Sequence, residues 1–208
     1  MYIPTFTAVT DPELLHDLMR RFSFATFVTA HDGRPFATHL PFLFSPEEGE
    51  QGTLVAHMAR ANPQWRGFAD GSEALVIFQG PHTYISPSWY EEEVSVPTWN
   101  YAVAHAYGVP RVITDAGRVR EALRALVDTH EEGFEAPWAM GLPEDYLQRQ
   151  LRAIVAFEVP ITRLEGKFKL SQNRSAEDQR RVRDQLALRP DANAQAVQAM
   201  MQALARRE

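Results

Sequence analysis

The stretch "FATFVTAHDGRPFATHLPFLF", residues 24–44, decides the fold. Its two halves, residues 24–30 and 35–44, are rich in β-branched and aromatic residues, as strands are. Between them, Asp32-Gly33 suits the tight turn of a β-hairpin. We therefore predict an antiparallel hairpin here, and we expect the rest of the sheet to build outward from it.

Short apolar runs of strand-like composition recur along the rest of the chain. They cover residues 52–58, 73–80, 82–86, 98–108 and 109–113, and a last pair spans 154–170. Gly80-Pro81 is predicted to separate two of these strands, since both residues interrupt regular structure. Strands so short and so closely spaced favour an antiparallel barrel, because parallel strands need longer crossover segments. About eight strands are enough to close a small barrel.

Helical segments are predicted between and after the strands. They cover residues 11–21, 62–70, 115–133 and 143–153, with two more helices from residue 175 onward. Asp11-Pro12 and Asn62-Pro63 are typical helix starts, and Ser175 to Asp178 resembles a capping box. We therefore divide the chain into a barrel domain, residues 1–174, and a C-terminal helical extension, residues 175–208.

The composition excludes several classes of function. The chain has 208 residues and a net charge of -6, which argues against a surface built to neutralise nucleic-acid phosphates. It has no cysteine, which excludes disulfides, thiolate metal sites and cysteine nucleophiles and fits a reducing compartment. No run of about 18 apolar residues occurs, and no basic region precedes an apolar leader. We expect a soluble cytoplasmic protein that does not enter a membrane.

Common catalytic and metal-binding motifs do not occur in the sequence. There is no GxGxxG or GxxxxGK[ST] motif after a predicted strand, and no GxSxG motif. His39, His57 and His105 lie on predicted strands, but no histidine pair has the spacing of metal ligands. We therefore expect no metal site.

Two stretches have the composition of an anion site. In "HMARANPQWRGF", residues 57–68, Arg60 precedes a predicted helix start whose backbone amides and dipole favour an anion. In "EGKFKLSQNR", residues 165–174, lysines and an arginine alternate with hydroxyl and amide side chains that can bind phosphate. Taken singly, the composition of each stretch slightly favours a solvated connector, but both interpretations stay open.

The stretch "ISPSWYEEEVSVPTWNYAVAHAYG", residues 85–108, is crowded with rings that carry polar tips. Trp89, Tyr90, Trp99 and Tyr101 can be core and dimer-interface residues, since each has a large apolar body. They can equally form the flat walls of a site for a planar ligand.

Five motifs, taken in order and spacing, resemble the PaiB-like family of FMN-binding negative transcriptional regulators. They are "ATHLPF" (37–42), "ARANPQW" (59–65), "FQGPHTYISPSWY" (78–90), "VPTWNY" (96–101) and "KFKLSQNR" (167–174). The resemblance runs from residue 1 to about residue 190. It implies a mainly β fold with flanking helices, namely a split β-barrel like that of pyridoxamine-phosphate oxidases, followed by C-terminal helices. It also implies a homodimer that holds FMN in a cleft between its subunits.

The resemblance also implies which residues bind the cofactor. The strand at Thr38, His39 and Leu40 would face the flavin ring, and two basic stretches would hold the phosphate. These stretches contribute His57, Met58, Arg60, Asn62 and Trp65, and Lys167, Lys169, Ser171, Gln172 and Asn173, with Trp99 and Asn100 as candidates for the cleft wall.

The resemblance leaves the activity open between three hypotheses. The first is an FMN-binding regulator that acts on transcription directly or indirectly, and the second is a flavin-dependent oxidoreductase for a small molecule. The third is a haem protein with His39, His57 or His105 as axial ligand.

The family name implies DNA as a partner, but the net charge does not support it and no helix-turn-helix is recognisable. The arginines of residues 179–189 alternate with acids, which predicts a solvated, salt-bridged face. The sequence does not decide whether the protein is an enzyme.

Overall fold

The computed structural model describes residues 1–91 and 94–206. Its residue contacts divide the chain into two compact units. The first unit comprises Met1–Leu18, Gln79–Ala104 and the described residues from Glu165 onward, and the second comprises Met19–Phe78 and His105–Leu164.

The first unit contains antiparallel strands and C-terminal helices. The strands are β1 (Ala8–Val9), β10 (Arg163–Lys169), β7 (Thr98–Gly108) and β6 (Ala74–Ile85), and the helices are α1 (Pro12–Arg21), α4 (Ala176–Ala187) and α5 (Ala192–Ala205). The strands lie in the order β1, β10, β7, β6, and β1 pairs with β10 through Ala8 opposite Lys167. Strands β6, β7 and β10 and helix α1 each continue from one unit into the other.

The second unit contains the hairpin and a separate four-stranded sheet. Strand β2 (Phe24–His31) pairs with β3 (Arg34–Pro41) on one side and with the first residues of β6 on the other. The strands of the second sheet are β4 (Leu43–Ser45), β5 (Thr53–Ala59), β9 (Ile154–Pro160) and β8 (Arg111–Val112), and they lie in the order β4, β5, β9, β8. The helices are α2 (Ala116–Glu131), α3 (Glu144–Ala153) and a 3-10 helix (Pro63–Asp70).

The predicted hairpin is confirmed. Asp32 and Gly33 have φ angles of 50° and 72°, the left-handed pair that a two-residue turn between twisted strands requires. The register places His31 opposite Arg34 and Thr26 opposite His39.

The stretch 35–44 was predicted as one strand, and that prediction is wrong. It forms β3 and β4, which belong to different sheets. The break falls at Phe42, whose side chain is buried and whose N–H donates to the carbonyl of Ser23 (2.9 Å). The buried ring lets the chain leave one sheet and pair Leu43 with Val55 of the other.

The predicted break at Gly80-Pro81 is also wrong, because β6 runs unbroken from Ala74 to Ile85. A Cβ at position 80 would lie 2.7 Å from Leu18 Cδ1 and 3.2 Å from the carbonyl oxygen of Ala102. Gly80 is therefore required for close packing and not for a turn.

The predicted helices are confirmed, with one difference of detail: the helix over residues 62–70 is a 3-10 helix. The described part of the chain has ten strands where about eight were predicted. Ser175 caps α4 as predicted, since its Oγ accepts from the N–H of Asp178 (3.1 Å). The division into residues 1–174 and 175–208 stays a prediction, and Arg207 and Glu208 lie outside the described residues. No helix of the described chain is long and apolar enough to cross a bilayer.

The core of the second unit is a cluster of phenylalanine rings. Phe27 of β2 and Phe157 of β9 are fully buried, with ring centroids 5.1 Å apart. Phe68 of the 3-10 helix lies 5.2 Å from Phe157. This cluster fixes the 3-10 helix against both sheets of the unit.

Gly108 provides a test of the close packing in the second unit. A Cβ at this position would lie 2.1 Å from the carbonyl oxygen of Pro160 and 2.9 Å from Val159 Cγ1. We expect Gly108→Ala to lower the free energy of unfolding by about 3 kcal/mol, because the clash is with backbone. Urea unfolding measures the change. The control is Gly133→Ala, where a Cβ meets nothing within 4 Å and little change is expected.

Candidate functional site

The fifteen predicted site residues divide between the two units. Those in the second unit are Thr38, His39, Leu40, His57, Met58, Arg60, Asn62 and Trp65; those in the first are Trp99, Asn100, Lys167, Lys169, Ser171, Gln172 and Asn173. Each group forms its own set of contacts.

A buried glutamine organises the group in the second unit. Gln64 is only 5% exposed, and Thr38 Oγ1 donates to its Oε1 (2.6 Å). Asn62 Nδ2 donates in turn to Thr38 Oγ1 (3.0 Å). The Nε2 of Gln64 donates toward three acceptors, which are Phe27 O (3.3 Å), Thr29 Oγ1 (3.1 Å) and Phe36 O (3.2 Å). Gln64 therefore ties the start of the 3-10 helix to the hairpin and positions Thr38 and Asn62.

Arg60 joins the end of β5 to the junction between α3 and β9. Its Nε donates to the carbonyl of Arg152 and its Nη2 to that of Ile154, both at 2.7 Å. Its own carbonyl accepts from Trp65 Nε1 (3.1 Å). Asn62 Oδ1 accepts from the N–H of Gln64 (3.0 Å). The helix cap therefore occupies one of the backbone amides that were predicted to bind an anion. The role of Arg60 and Asn62 as phosphate ligands stays a prediction.

The remaining residues of this group differ in accessibility. Leu40 and Met58 are buried in the core, whereas the ring of His39 stacks on Phe24 at 6.3 Å. Burial lowers the pKa of His57 below its ordinary value, so this imidazole is neutral near pH 7. Within residues 1–91 and 94–206, no group of His, Asp and Glu side chains is arranged to hold a metal ion.

In the first unit, β6 and β7 present aromatic rings to solvent. Trp99 and Tyr84 are 51% and 41% exposed, and their ring centroids lie 6.3 Å apart at 77°. The ring of His82 lies 5.7 Å from that of Trp99. These rings provide flat apolar surface beside polar tips.

Three cations, Lys167, Lys169 and Arg174, form a basic cluster beside these rings. Lys169 Nζ donates to the carbonyl of Trp99 (2.7 Å) and to Thr98 Oγ1. Lys167 Nζ donates to the carbonyl of Tyr2 (3.1 Å).

Lys169 is the cation of this cluster whose charged form is disfavoured. Burial, followed by repulsion from Lys167 and Arg174, lowers the pKa of Lys169 below its ordinary value. Neither lysine forms an ion pair with a carboxylate in the described part of the chain. A bound anion would relieve this repulsion.

The other predicted ligands of the first unit lie mostly inside it. Asn100 is fully buried and Ser171 is 4% exposed, and Asn100 Nδ2 donates to Ser171 Oγ (2.9 Å). Gln172 Oε1 accepts from the N–H of Leu170 (2.6 Å), so this side chain also bonds to its own turn. Asn173 is exposed.

The fold is a split β-barrel with flanking helices, and a cluster of three cations lies beside exposed aromatic rings. The family that this chain matches is a flavin-binding class of protein. A family model described as "Putative FMN-binding domain" matches residues 1–163. The chain therefore belongs to this FMN-binding family, and its cofactor is FMN.

Comparisons with individual proteins agree with this assignment. The chain is 37% identical over 204 residues to "Protease synthase and sporulation protein PAI 2" of Bacillus subtilis (strain 168), and the match covers 97% of both chains. Among solved structures, the FAD and haem binding protein from Mycobacterium smegmatis matches with a TM-score of 0.61 and 23% identity, over 83% of this chain and 78% of that one. The flavocytochrome Anf3 from Azotobacter vinelandii matches with a TM-score of 0.58 and 15% identity, over 80% and 72%. The predictions of a PaiB-like protein and a split β-barrel are confirmed.

Gln64 was not among the predicted site residues, and its role can be tested. We expect Gln64→Glu to lower the free energy of unfolding at pH 8 by about 3 kcal/mol, because the introduced carboxylate faces carbonyl oxygens inside the unit. Burial raises the pKa of that carboxyl above its unfolded value, so the loss should grow as the pH rises from 5 to 8. Urea unfolding at both pH values measures it. Gln202→Glu, on the exposed side of α5, should show little change at either pH.

Proposed function

We propose that this protein is a homodimeric FMN-binding regulator whose basic cluster binds the flavin phosphate. The observation that carries the proposal is the pair Lys167 and Lys169, which lack carboxylate partners among the described residues. A phosphate monoester, with a charge of about -1.5 to -2 near neutral pH, is the kind of ligand that such a cluster favours.

The residues around the basic cluster fit FMN. The Nζ of each lysine is already oriented by neutral acceptors, so a phosphate oxygen can add a charge-assisted hydrogen bond without reorganising the side chain. Trp99 and Tyr84 supply flat walls of the kind that a conjugated ring prefers. When bound, FMN supplies hydride or single-electron transfer. The contact of a flavin ring with the strand at Thr38–Leu40 stays a prediction.

The exposed rings also support the proposed dimer. Trp99 and Tyr84 lie side by side on one sheet face, and large aromatic residues are enriched at protein interfaces. We propose that a second subunit covers this face together with the flavin. Light scattering of the purified protein measures the subunit number.

A regulatory role would act through the flavin-bound state and not through contact between α4 and DNA. Arg180 pairs with Glu177 (2.6 Å) and Asp184 (2.7 Å), and Arg181 lies 3.8 Å from Glu177. The predicted salt-bridged face is thus confirmed. Its acidic residues offset the positive charge that binding of DNA phosphates would require.

Lys169 tests the phosphate site directly. We expect Lys169→Met to weaken FMN binding by about 10- to 100-fold, because a charged hydrogen-bond donor is lost. Binding of riboflavin, which has the same ring but no phosphate, should be unchanged.

The pH dependence of binding gives a second prediction. Because the pKa of Lys169 is lowered, the FMN affinity of the wild type should begin to fall at a lower pH than it would if this lysine had an ordinary pKa. This early fall should be absent in the variant.

Flavin fluorescence titration measures all of these affinities. Arg149→Met, which removes an exposed cation paired with Asp145 on α3, is the matched control and should bind FMN normally. If Lys169→Met and the wild type bind FMN equally well, the phosphate does not lie at the basic cluster.

A second experiment separates the regulator from the two other hypotheses. We expect the FMN complex, mixed anaerobically with NADH or NADPH, to keep its flavin absorbance, because a regulator needs no fast hydride transfer from a nicotinamide. Rapid bleaching would instead identify a reductase. A Soret band in the protein as purified would identify a haem protein.

A further inference from the structure

A buried polar cluster lies next to the basic cluster in the first unit. It consists of Asn100 on β7, Ser171 after β10 and Met201 on α5, which are 0%, 4% and 3% exposed. Asn100 Nδ2 donates to Ser171 Oγ (2.9 Å) and lies 3.7 Å from Met201 Sδ, and Ser171 Oγ lies 3.2 Å from Asn100 Oδ1. The polar groups of these three residues satisfy one another inside the unit and are not presented to a ligand at its surface.

Ser171 holds an unusual backbone conformation within this cluster. Its φ angle is 68°, in the left-handed region that residues other than glycine seldom adopt. Gln172 closes the same turn, since its Oε1 accepts from the N–H of Leu170 and its Nε2 donates to the carbonyl of Phe168. Such a conformation persists only when its surroundings hold it, and here the bond to Asn100 does so.

The buried polar cluster is connected to Lys169 from two directions. Lys169 is the last residue of β10 and lies two residues before Ser171. Its Nζ bonds to Thr98 and Trp99, which directly precede Asn100 on β7. The bond between Asn100 and Ser171 therefore fixes the ends of both strands from which the ammonium group is positioned.

Helix α5 takes part through Met201. Val197 and Ala194 of this helix are fully buried as well, and the Sδ of Met201 lies 3.7 Å from Asn100 Nδ2. The family match ends at residue 163, so α5 lies outside it.

We propose that Asn100, Ser171 and Met201 are positioning residues for the flavin phosphate. They hold Lys169 in its binding geometry without touching the ligand, and through Met201 they make α5 a support of the cofactor site. This inference rests on the proposed function, in which the phosphate binds at Lys169. It replaces the expectation that Asn100 and Ser171 contact FMN themselves.

A double-mutant cycle of Ser171→Gly and Lys169→Met tests the inference. Glycine adopts a positive φ freely, so the first change removes the hydroxyl group without adding backbone strain. We expect Ser171→Gly to raise the Kd for FMN about tenfold and to leave the Kd for riboflavin unchanged, because one hydrogen bond to the turn is lost. In the Lys169→Met background the same change should have no further effect, since both act through one ammonium group.

Met201 is tested against a matched residue of the same helix. Met201→Ala and Val197→Ala each remove a buried side chain of α5, and each should lower the Tm. Only Met201→Ala should raise the ratio of the FMN Kd to the riboflavin Kd. Ser171→Ala, whose Tm is measured alongside, provides a second variant that lacks the hydroxyl group.

The outcomes separate the inference from the proposed function. Additive effects of the Ser171 and Lys169 substitutions would mean that Ser171 contacts the phosphate itself, and would overturn the inference alone. Equal losses of FMN and riboflavin affinity would show a general structural role and would also overturn it. A wild-type protein that binds FMN no more tightly than riboflavin would overturn the proposed function, and the inference with it.

Discussion

The proposed site in the first unit depends on one partly buried ammonium group that lies beside two other cations. Lys169 is partly buried beside Lys167 and Arg174. Burial, followed by repulsion from these two cations, lowers its pKa. Hydrogen bonds to Thr98 and Trp99 hold the ammonium group in place, and the buried polar cluster fixes the strand ends that carry them. In the proposed function, a phosphate bound at the basic cluster would offset this concentration of positive charge.

In the second unit, a short 3-10 helix is held at a defined place by its neighbours. A 3-10 helix has poor hydrogen-bond geometry and seldom persists without outside support. Phe68 anchors its end in the ring cluster, while Gln64 anchors its start on the hairpin. Apolar packing and the hydrogen bonds of one buried amide side chain thus combine to set the positions of Thr38 and Asn62.

The elements that were predictable from the sequence are those governed by neighbouring residues. The hairpin at Asp32-Gly33 and the caps at Asn62 and Ser175 depend on contacts within a few positions. Gly80 was misassigned because its partner, Ala102, lies on a strand 22 residues further along, and no local pattern shows it.

The candidate site was predictable in its charges but not in the roles of its neutral side chains. Lysines in a phosphate-like motif are recognisable from composition. Whether a serine or an asparagine faces a ligand or a neighbour depends on burial, and Ser171 meets Asn100 across 71 residues. Gln64 finds its acceptors 28 to 37 residues away, so a single glutamine in "NPQW" gave no signal.

Strand β3 has a consequence for how copies of this chain can associate. It is the last strand of its sheet, and it carries Pro35 and Pro41 near its two ends. Proline has no N–H to donate, so a foreign strand laid along this border would find its ladder interrupted. The two prolines thereby shorten the part of this border along which copies of the chain could add strand to strand.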